Sequence, residues 1–268
     1  MAQLSGSCDV PVYVVSTEHR RLEIWAEEPS GAIVMKKSTI ESVRAGGIRI
    51  APDGSSVVLF GRRDIDLWRP FYASGIETFR TLPSNVMCAE YTHDSKQIIT
   101  GCVNGDVYML NVDGRRMNER LLRGHISGVE CVATSRDKKW VVSGSSDRTA
   151  RIWSLKRNET VHVLTGHTGT IVAAAISYYD AYVATASTDA TVRIWRLERG
   201  ELVAVIQHDS QFVGLAFLHN SYDLVTTGAD GNVCLWNWHT EPGARGGLLA
   251  ATASLPSWKQ ILPRPDGD

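Results

Sequence analysis

An all-β chain assembled from repeated four-stranded units is what the sequence predicts, on three observations. The first is a recurrence: the pair Gly124-His125 leads through an alternating apolar run to Val141-Val142-Ser143-Gly144-Ser145-Ser146-Asp147, and then to Arg151-Ile152-Trp153. The pattern returns from Gly166-His167 through Thr185 and Asp189 to Trp195, and from Gln207-His208 through Thr226 and Asp230 to Trp236. In all three, His precedes Trp by 28 residues and Asp precedes it by 6. The second observation is a period, since strand ends at Trp25, Trp68, Leu110, Trp153, Trp195 and Trp236 are spaced by 43, 42, 43, 42 and 41 residues. The third is texture. Short runs rich in Val, Ile and Thr are separated by turn residues such as Pro52-Asp53-Gly54 and Asp230-Gly231, with no sustained helical period. A repeat of this length with four strands per unit is the signature of a β-propeller, here of about six blades.

In chain order, the first unit offers strands near 11–15, 21–25 and 32–36 with no inner strand ahead of them. The first blade is therefore expected to be incomplete at the N-terminus. Unit four resolves into strands near 129–134, 140–144, 149–154 and 160–164. After Trp236 the pattern loosens into a Pro- and Gly-containing loop from Glu241 to Gly247 and an apolar run from Leu248 to Leu255. The expected organisation is an N-terminal extension at 1–9, a propeller at 10–255 and a C-terminal tail at 256–268. Within the tail, 257–262 is a candidate ring-closing strand against 10–15, because an unpaired inner edge invites a partner. A six-bladed closed ring and an open fragment of a larger propeller both remain open on this reading.

Composition narrows the function classes. Hydrophobic residues make up 43% and charged residues 21%, an ordinary globular balance. With 28 Lys plus Arg against 29 Asp plus Glu, the formal charge of -1 supplies no field to gather polyanions, so nucleic acid is not an implied partner. The longest apolar run, Ile171 to Ile176, is too short to span a bilayer, and no membrane association is expected. Five cysteines without Cys-x-x-Cys or Cys/His ligand spacing point to free thiols in a reducing compartment and to no metal site. Cys88 and Cys131 also fall in a column of small residues, with Gly46, Ala173 and Gly214, each 22 residues before a strand end. That column marks inner strands converging on an axis, where they pack closely.

His125, Ser143 and Asp147 are residue types that could make a hydrolase triad. The set recurs as His167, Thr185 and Asp189, and a catalytic triad repeated at a structural period is less economical than one structural device repeated. The physical reading is a buried His beside a Trp, whose ring nitrogens and indole N–H are satisfied by the Asp and the hydroxyl. Units two and three lack the device: Arg62 or Arg63 and Asn104 stand near the Asp position. No catalytic residue and no cofactor are expected.

The Gly-His pair followed by a strand ending in Ile-Trp resembles the WD-repeat family of β-propellers, over residues 10 to about 255 and most closely in units four to six. Where that family has Asp after Trp, this chain has Ser154, Arg196 and Asn237. The resemblance implies structural tetrads at His125, Ser143, Asp147 and Trp153, at His167, Thr185, Asp189 and Trp195, and at His208, Thr226, Asp230 and Trp236. It implies a partner-facing rim at Gly128, Glu130 and Ser146, at Thr170, Val172 and Thr188, and at Gln211, Val213 and Ala229. The function it implies is a non-catalytic interaction scaffold or adaptor, cytoplasmic or nuclear, binding other proteins within a multiprotein complex. The alternatives are a substrate-receptor subunit of a ubiquitin ligase, which the residues following the Trp positions disfavour, and a propeller-fold enzyme.

Overall fold

The computed structural model describes residues 46–69, 76–113 and 119–238 in full, together with strand backbones at 3–5, 12–16, 22–27, 33–38 and 251–252. All regular structure in these residues is strand, arranged as six sheets of four antiparallel strands, each in chain order. The first sheet holds β1 (Gln3–Ser5), β2 (Val12–Ser16), β3 (Leu22–Glu27) and β4 (Ile33–Ser38). The second holds β5 (Gly47–Ile50), β6 (Val57–Phe60), β7 (Asp64–Trp68) and β8 (Ile76–Thr81). The third holds β9 (Val86–Tyr91), β10 (Gln97–Cys102), β11 (Val107–Asn111) and β12 (Arg120–Leu122). The fourth holds β13 (Val129–Thr134), β14 (Trp140–Ser145), β15 (Ala150–Ser154) and β16 (Glu159–Leu164). The fifth holds β17 (Ile171–Ile176), β18 (Tyr182–Ser187), β19 (Thr191–Arg196) and β20 (Leu202–Gln207). The sixth holds β21 (Phe212–Phe217), β22 (Leu224–Gly228), β23 (Val233–Trp236) and β24 (Ala251–Thr252).

The sheets are propeller blades. Inner strands lie beside one another in chain order: β1 by β5, β5 by β9, β9 by β13, β13 by β17 and β17 by β21. Second strands are sandwiched on both faces, so β10, β14 and β18 are buried along their length after the first residue, whereas the outer strand β20 alternates toward solvent. The core is accordingly divided into layers between blades. Ile99, Val107, Met109 and Leu122 of the third blade pack with Val129, Val132, Val141 and Trp153 of the fourth. Trp195 packs with Val142 and Ile152 of the blade before it, and Trp236 with Ala184 and Ile194.

One expectation is corrected. The first blade is not short of its inner strand, because Gln3–Ser5 pairs with β2 in the register Gln3↔Val14, Leu4↔Tyr13 and Ser5↔Val12. Residues 1–9 are therefore not simply an extension. Three residues are too few for alternation to be visible in sequence, yet they occupy the edge of β2 that 257–262 was expected to fill. The candidate strand at 257–262 itself lies outside the described residues.

The small column is a set of reciprocal pairs. Cys88 stands opposite Gly101, Cys131 opposite Gly144, Ala173 opposite Ala186 and Gly214 opposite Thr227. A Cβ on Gly101 would lie 2.6 Å from the Cys88 sulfur, and one on Gly144 would lie 2.7 Å from that of Cys131. The inner residue can be a cysteine only where the second strand gives up its side chain. Each thiol also reaches the next blade, Cys88 toward the Val129 carbonyl at 3.5 Å and Cys131 toward that of Ile171 at 3.9 Å. Burial pushes both thiols up, Cys131 to about 12, so neither is a thiolate at neutral pH.

Candidate functional site

Two groups of residues meet at one end of the blades, the upper end, where second strands turn into third strands and each outer strand leads to the next inner one. The first group is buried and polar. In the fourth blade His125 enters from the loop before β13, Ser143 projects from β14, Asp147 sits in the β14–β15 turn and Trp153 near the end of β15. The Trp153 indole N–H donates to the Ser143 hydroxyl at 2.8 Å, and that hydroxyl is 2.8 Å from His125 Nε2. His125 Nδ1 is 2.8 Å from Asp147 Oδ2. One proton arrangement satisfies all of them: Nδ1–H donates to the carboxylate, and Nε2 accepts from Ser143, whose oxygen accepts from the indole. Burial holds the His125 ring below its ordinary pKa even against the adjacent carboxylate, which keeps the imidazole neutral as this arrangement requires.

Asp147 also fastens the loops. Burial pushes its carboxyl up, but the Thr149 hydroxyl, His125 and the Thr149 N–H outweigh that and hold it below the usual carboxylate range. Thr149 donates to Oδ1 through its hydroxyl at 2.6 Å and its N–H at 2.9 Å, and the Ile126 N–H donates to Oδ2 at 3.2 Å. The fifth blade repeats this with His167, Thr185, Asp189 and Trp195, at 2.9, 2.9 and 3.0 Å for the three links, and with the Thr168 N–H on Asp189 at 2.9 Å. The glycine of each Gly-His pair has a reason as well. A Cβ on Gly124 would lie 2.6 Å from the Arg151 guanidinium, and one on Gly166 equally close to that of Arg193, with Gly166 at φ +132 besides.

The sixth blade is only half connected. The Trp236 indole donates to Thr226 at 2.7 Å, but His208 bonds neither Thr226 nor Asp230 among the described residues. Its Nδ1 instead accepts the Ser210 N–H at 3.1 Å, while both Asp230 oxygens are taken by Asn232, the N–H at 3.0 Å and the side-chain amide at 2.8 Å. Asn232 stands where Thr149 and Thr191 stand in the other two blades. A hydroxyl and N–H together use one carboxylate oxygen and leave the other to His. An amide reaches across to the second oxygen and displaces it. In the third blade, Thr100 occupies the hydroxyl position with Leu82 and Leu110 in place of His and Trp, and its buried hydroxyl has no partner among the described residues.

The hydroxyls of the fourth and fifth clusters are closed to solvent and fully used. Ser143 and Thr185 are fully buried, and each oxygen is already engaged by His and Trp.

The second group is the rim. Ser146 N–H donates to the Gly128 carbonyl at 2.9 Å, Thr188 N–H to Thr170 at 2.9 Å and Ala229 N–H to Gln211 at 2.8 Å, so the spacing brings these residues together pairwise. Glu130 accepts the Ser146 hydroxyl at 2.6 Å. Gly128 is buried; Glu130, Ser146, Thr170, Val172 and Thr188 are half-buried; Gln211, Val213 and Ala229 are exposed. The third blade carries the same pairing, Val103 N–H to the Asn85 carbonyl at 2.9 Å, with Met87 at the position of Glu130. Asn85, Met87 and Val103 fall at the same spacing counted from Leu110, in a unit that lacks the His marking the others. Ile126, next to His125, is marked by no spacing rule.

The model of the family described as "WD domain, G-beta repeat" matches residues 117–154, 158–196 and 200–237. The U3 small nucleolar RNA-associated protein 15 homolog of Xenopus tropicalis is 30% identical over 91 residues, covering 34% of this chain and 18% of that protein. The spindle assembly checkpoint protein bub3 of Schizosaccharomyces pombe is 32% identical over 80 residues, 30% of this chain and 24% of that one. The aligned stretches thus span less than a quarter of either relative. Among solved structures, a chain of the crystal structure of a mitotic checkpoint complex superposes with a TM-score of 0.72 at 23% identity, covering 84% of this chain and 72% of that chain. At that identity the likeness speaks to the fold.

Proposed function

We propose that the chain, which carries three WD repeats in a β-propeller fold, is a non-catalytic scaffold whose upper rim holds other proteins within a multiprotein complex, in the cytoplasm or nucleus. One observation carries this reading. The polar groups that resemble catalytic machinery are spent on holding the upper loops in place, while those loops present exposed apolar side chains to solvent among charged ones. Val213 is 62% exposed on β21, and Ile126 is 91% exposed on backbone tied to Asp147. Apolar side chains held rigidly in water lose little further entropy when a partner covers them.

The test is affinity capture with the full-length chain, followed by mass spectrometry, comparing wild type with Val172→Glu/Val213→Glu on the rim and Tyr179→Ser at the opposite end. We expect the rim variant to lose the captured proteins and the Tyr179 variant to keep them. Capture that survives the rim substitutions and fails with Tyr179→Ser would place the interaction elsewhere and refute the reading.

A further inference from the structure

The lower end of the blades, opposite the rim, carries a row of flat side chains. We propose that it binds a neutral, proline-rich segment of another protein in the extended polyproline II form, the proline rings seated on Tyr178, Tyr179 and His219. This surface is separate from the upper rim, and the inference goes beyond the scaffold reading without resting on it.

The row comes from the repeat itself. His93, Arg136, Tyr178 and His219 each stand 17 residues before a strand end, in the turns that join first to second strands of the third to sixth blades. The Arg136 guanidinium lies 3.9 Å from the centre of the Tyr178 ring, and the His219 ring lies 4.3 Å from that centre at 70°. Tyr179 meets Tyr178 at 5.1 Å and 84°, and Tyr222 at 5.7 Å and 58°. Rings at such steep angles make a stepped surface instead of a flat one. Its outermost steps face water, with Tyr179 56% exposed and His219 exposed.

The fifth-blade turn that carries the tyrosines is held from two sides. Ser177 is buried, and its hydroxyl accepts the N–H groups of Ala181 at 3.2 Å and Tyr182 at 3.0 Å. The Asp180 N–H donates to the Ser177 carbonyl at 2.9 Å. Its carboxylate reaches the fourth blade, accepting the N–H groups of Arg136 at 3.0 Å and Asp137 at 2.8 Å. Large rings on a turn fixed in this way lose little entropy when a partner covers them.

Charge selects the occupant. The turns at 92–96, 135–139, 177–181 and 218–223 carry four basic residues, Lys96, Arg136, Lys138 and Lys139, against four aspartates. Lys138 lies 3.5 Å from Asp94 and Lys139 2.9 Å from Asp137. This balance favours neither an acidic nor a basic segment. A ligand cation meets a second obstacle, because the guanidiniums of Arg136 and Arg196 already lie over Tyr178 and Tyr182, at 3.9 and 5.8 Å. A neutral occupant remains. Proline suits it better than Leu or Ile, since its backbone is already restricted before binding and the polyproline II form leaves its carbonyls free for donors such as tyrosine hydroxyls.

The experiment is fluorescence anisotropy of the full-length chain with a labelled synthetic peptide of Pro interspersed with Leu. One comparison peptide replaces each Pro by Ala, and two others place Lys or Asp among the prolines. We expect the proline peptide to bind with a Kd of about 100 µM, unchanged within about twofold between low and physiological salt. Binding should weaken about tenfold in Tyr179→Ser and less than about threefold in Tyr179→Phe, which keeps the ring. Because Tyr179 is exposed, the melting curves of both variants should match wild type. The proposal is overturned if the alanine peptide binds as tightly, if the Lys or Asp peptide binds more tightly, if Tyr179→Ser binds within about twofold of wild type, or if no binding is seen up to about 1 mM. A complex this weak dissociates during washing, so Tyr179→Ser leaves affinity capture through the rim unchanged. Failure of the peptide with rim-dependent capture intact would remove this inference and leave the scaffold reading standing. Peptide binding that persists while capture ignores Val172 and Val213 would do the reverse.

Discussion

Exchange of threonine for valine at one structural position, repeated in three blades, separates a hydroxyl that clamps from one that does not. Thr185, Thr226 and Thr100 lie ten residues before Trp195, Trp236 and Leu110, and all three are buried. Thr185→Val strands two buried groups, His167 Nε2 and the Trp195 N–H, each at about 1–3 kcal/mol, so the loss should be on the order of 2–6 kcal/mol. Thr226→Val strands only the Trp236 N–H, for about 1–3 kcal/mol. Thr100→Val removes a hydroxyl that has no partner among the described residues and should be neutral or stabilise by about 1 kcal/mol. Urea unfolding reads these as shifts in midpoint at constant slope, and thermal unfolding as about 2–4 °C per kcal/mol for a chain of this size. Loss of comparable stability from Thr100→Val and Thr185→Val would mean that Thr100 is bonded after all, and the account of the third blade would fall with it.

Three further outcomes follow from the same geometry. Asn232→Thr should free one Asp230 oxygen for His208 and raise stability by about 1 kcal/mol, with His208 Nδ1 changing from acceptor to N–H in imidazole nitrogen NMR; an unchanged tautomer would refute the displacement. Burial holds His125 and His167 below their unfolded value of about 6.5, so the folded protein carries fewer protons there. Their contribution is complete above about pH 6.5 and lost as pH falls toward the folded value, and the depressed Asp147 and Asp189 add a further loss below about pH 4. Proton NMR titration should therefore place both His midpoints below about 6.5, and a midpoint above it contradicts the buried neutral ring. Ala190 sits at φ 61, where Gly105 and Gly231 sit in other blades, so Ala190→Gly should relieve about 1–2 kcal/mol of strain less about 0.5–1 for added chain freedom. A lowered melting temperature would be the wrong sign.

The period, the four strands of each blade and the residue types of the clamp were legible because they recur at fixed spacing, and a recurring His, hydroxyl, Asp and Trp has few physical readings. What was not legible depended on single residues acting across space. Gln3–Ser5 is too short to show a pattern and becomes a strand only because β2 offers an edge. The fate of His208 is decided by Asn232, which the clamp spacing does not mention, through the reach of an amide against that of a hydroxyl. The reciprocity of Cys88 with Gly101 and of Cys131 with Gly144 is visible only once the register is known.

These details connect the clamp to the rim. Ile126 and Thr168, the residues after His125 and His167, are positioned by donating their N–H groups to the clamp aspartates. In the sixth blade Asn232 has taken both oxygens of Asp230, and Asp209 makes no such bond among the described residues, so that rim is fixed mainly by the Ala229 N–H on the Gln211 carbonyl. The fourth and fifth blades thus offer a partner loops tied to the clamp aspartates, while the loop of the sixth lacks that tie. An anchor at Ile126 costs less conformational entropy than one at the corresponding Asp209 of the sixth blade, which is the physical ground for expecting the partner's central contact on the fourth blade.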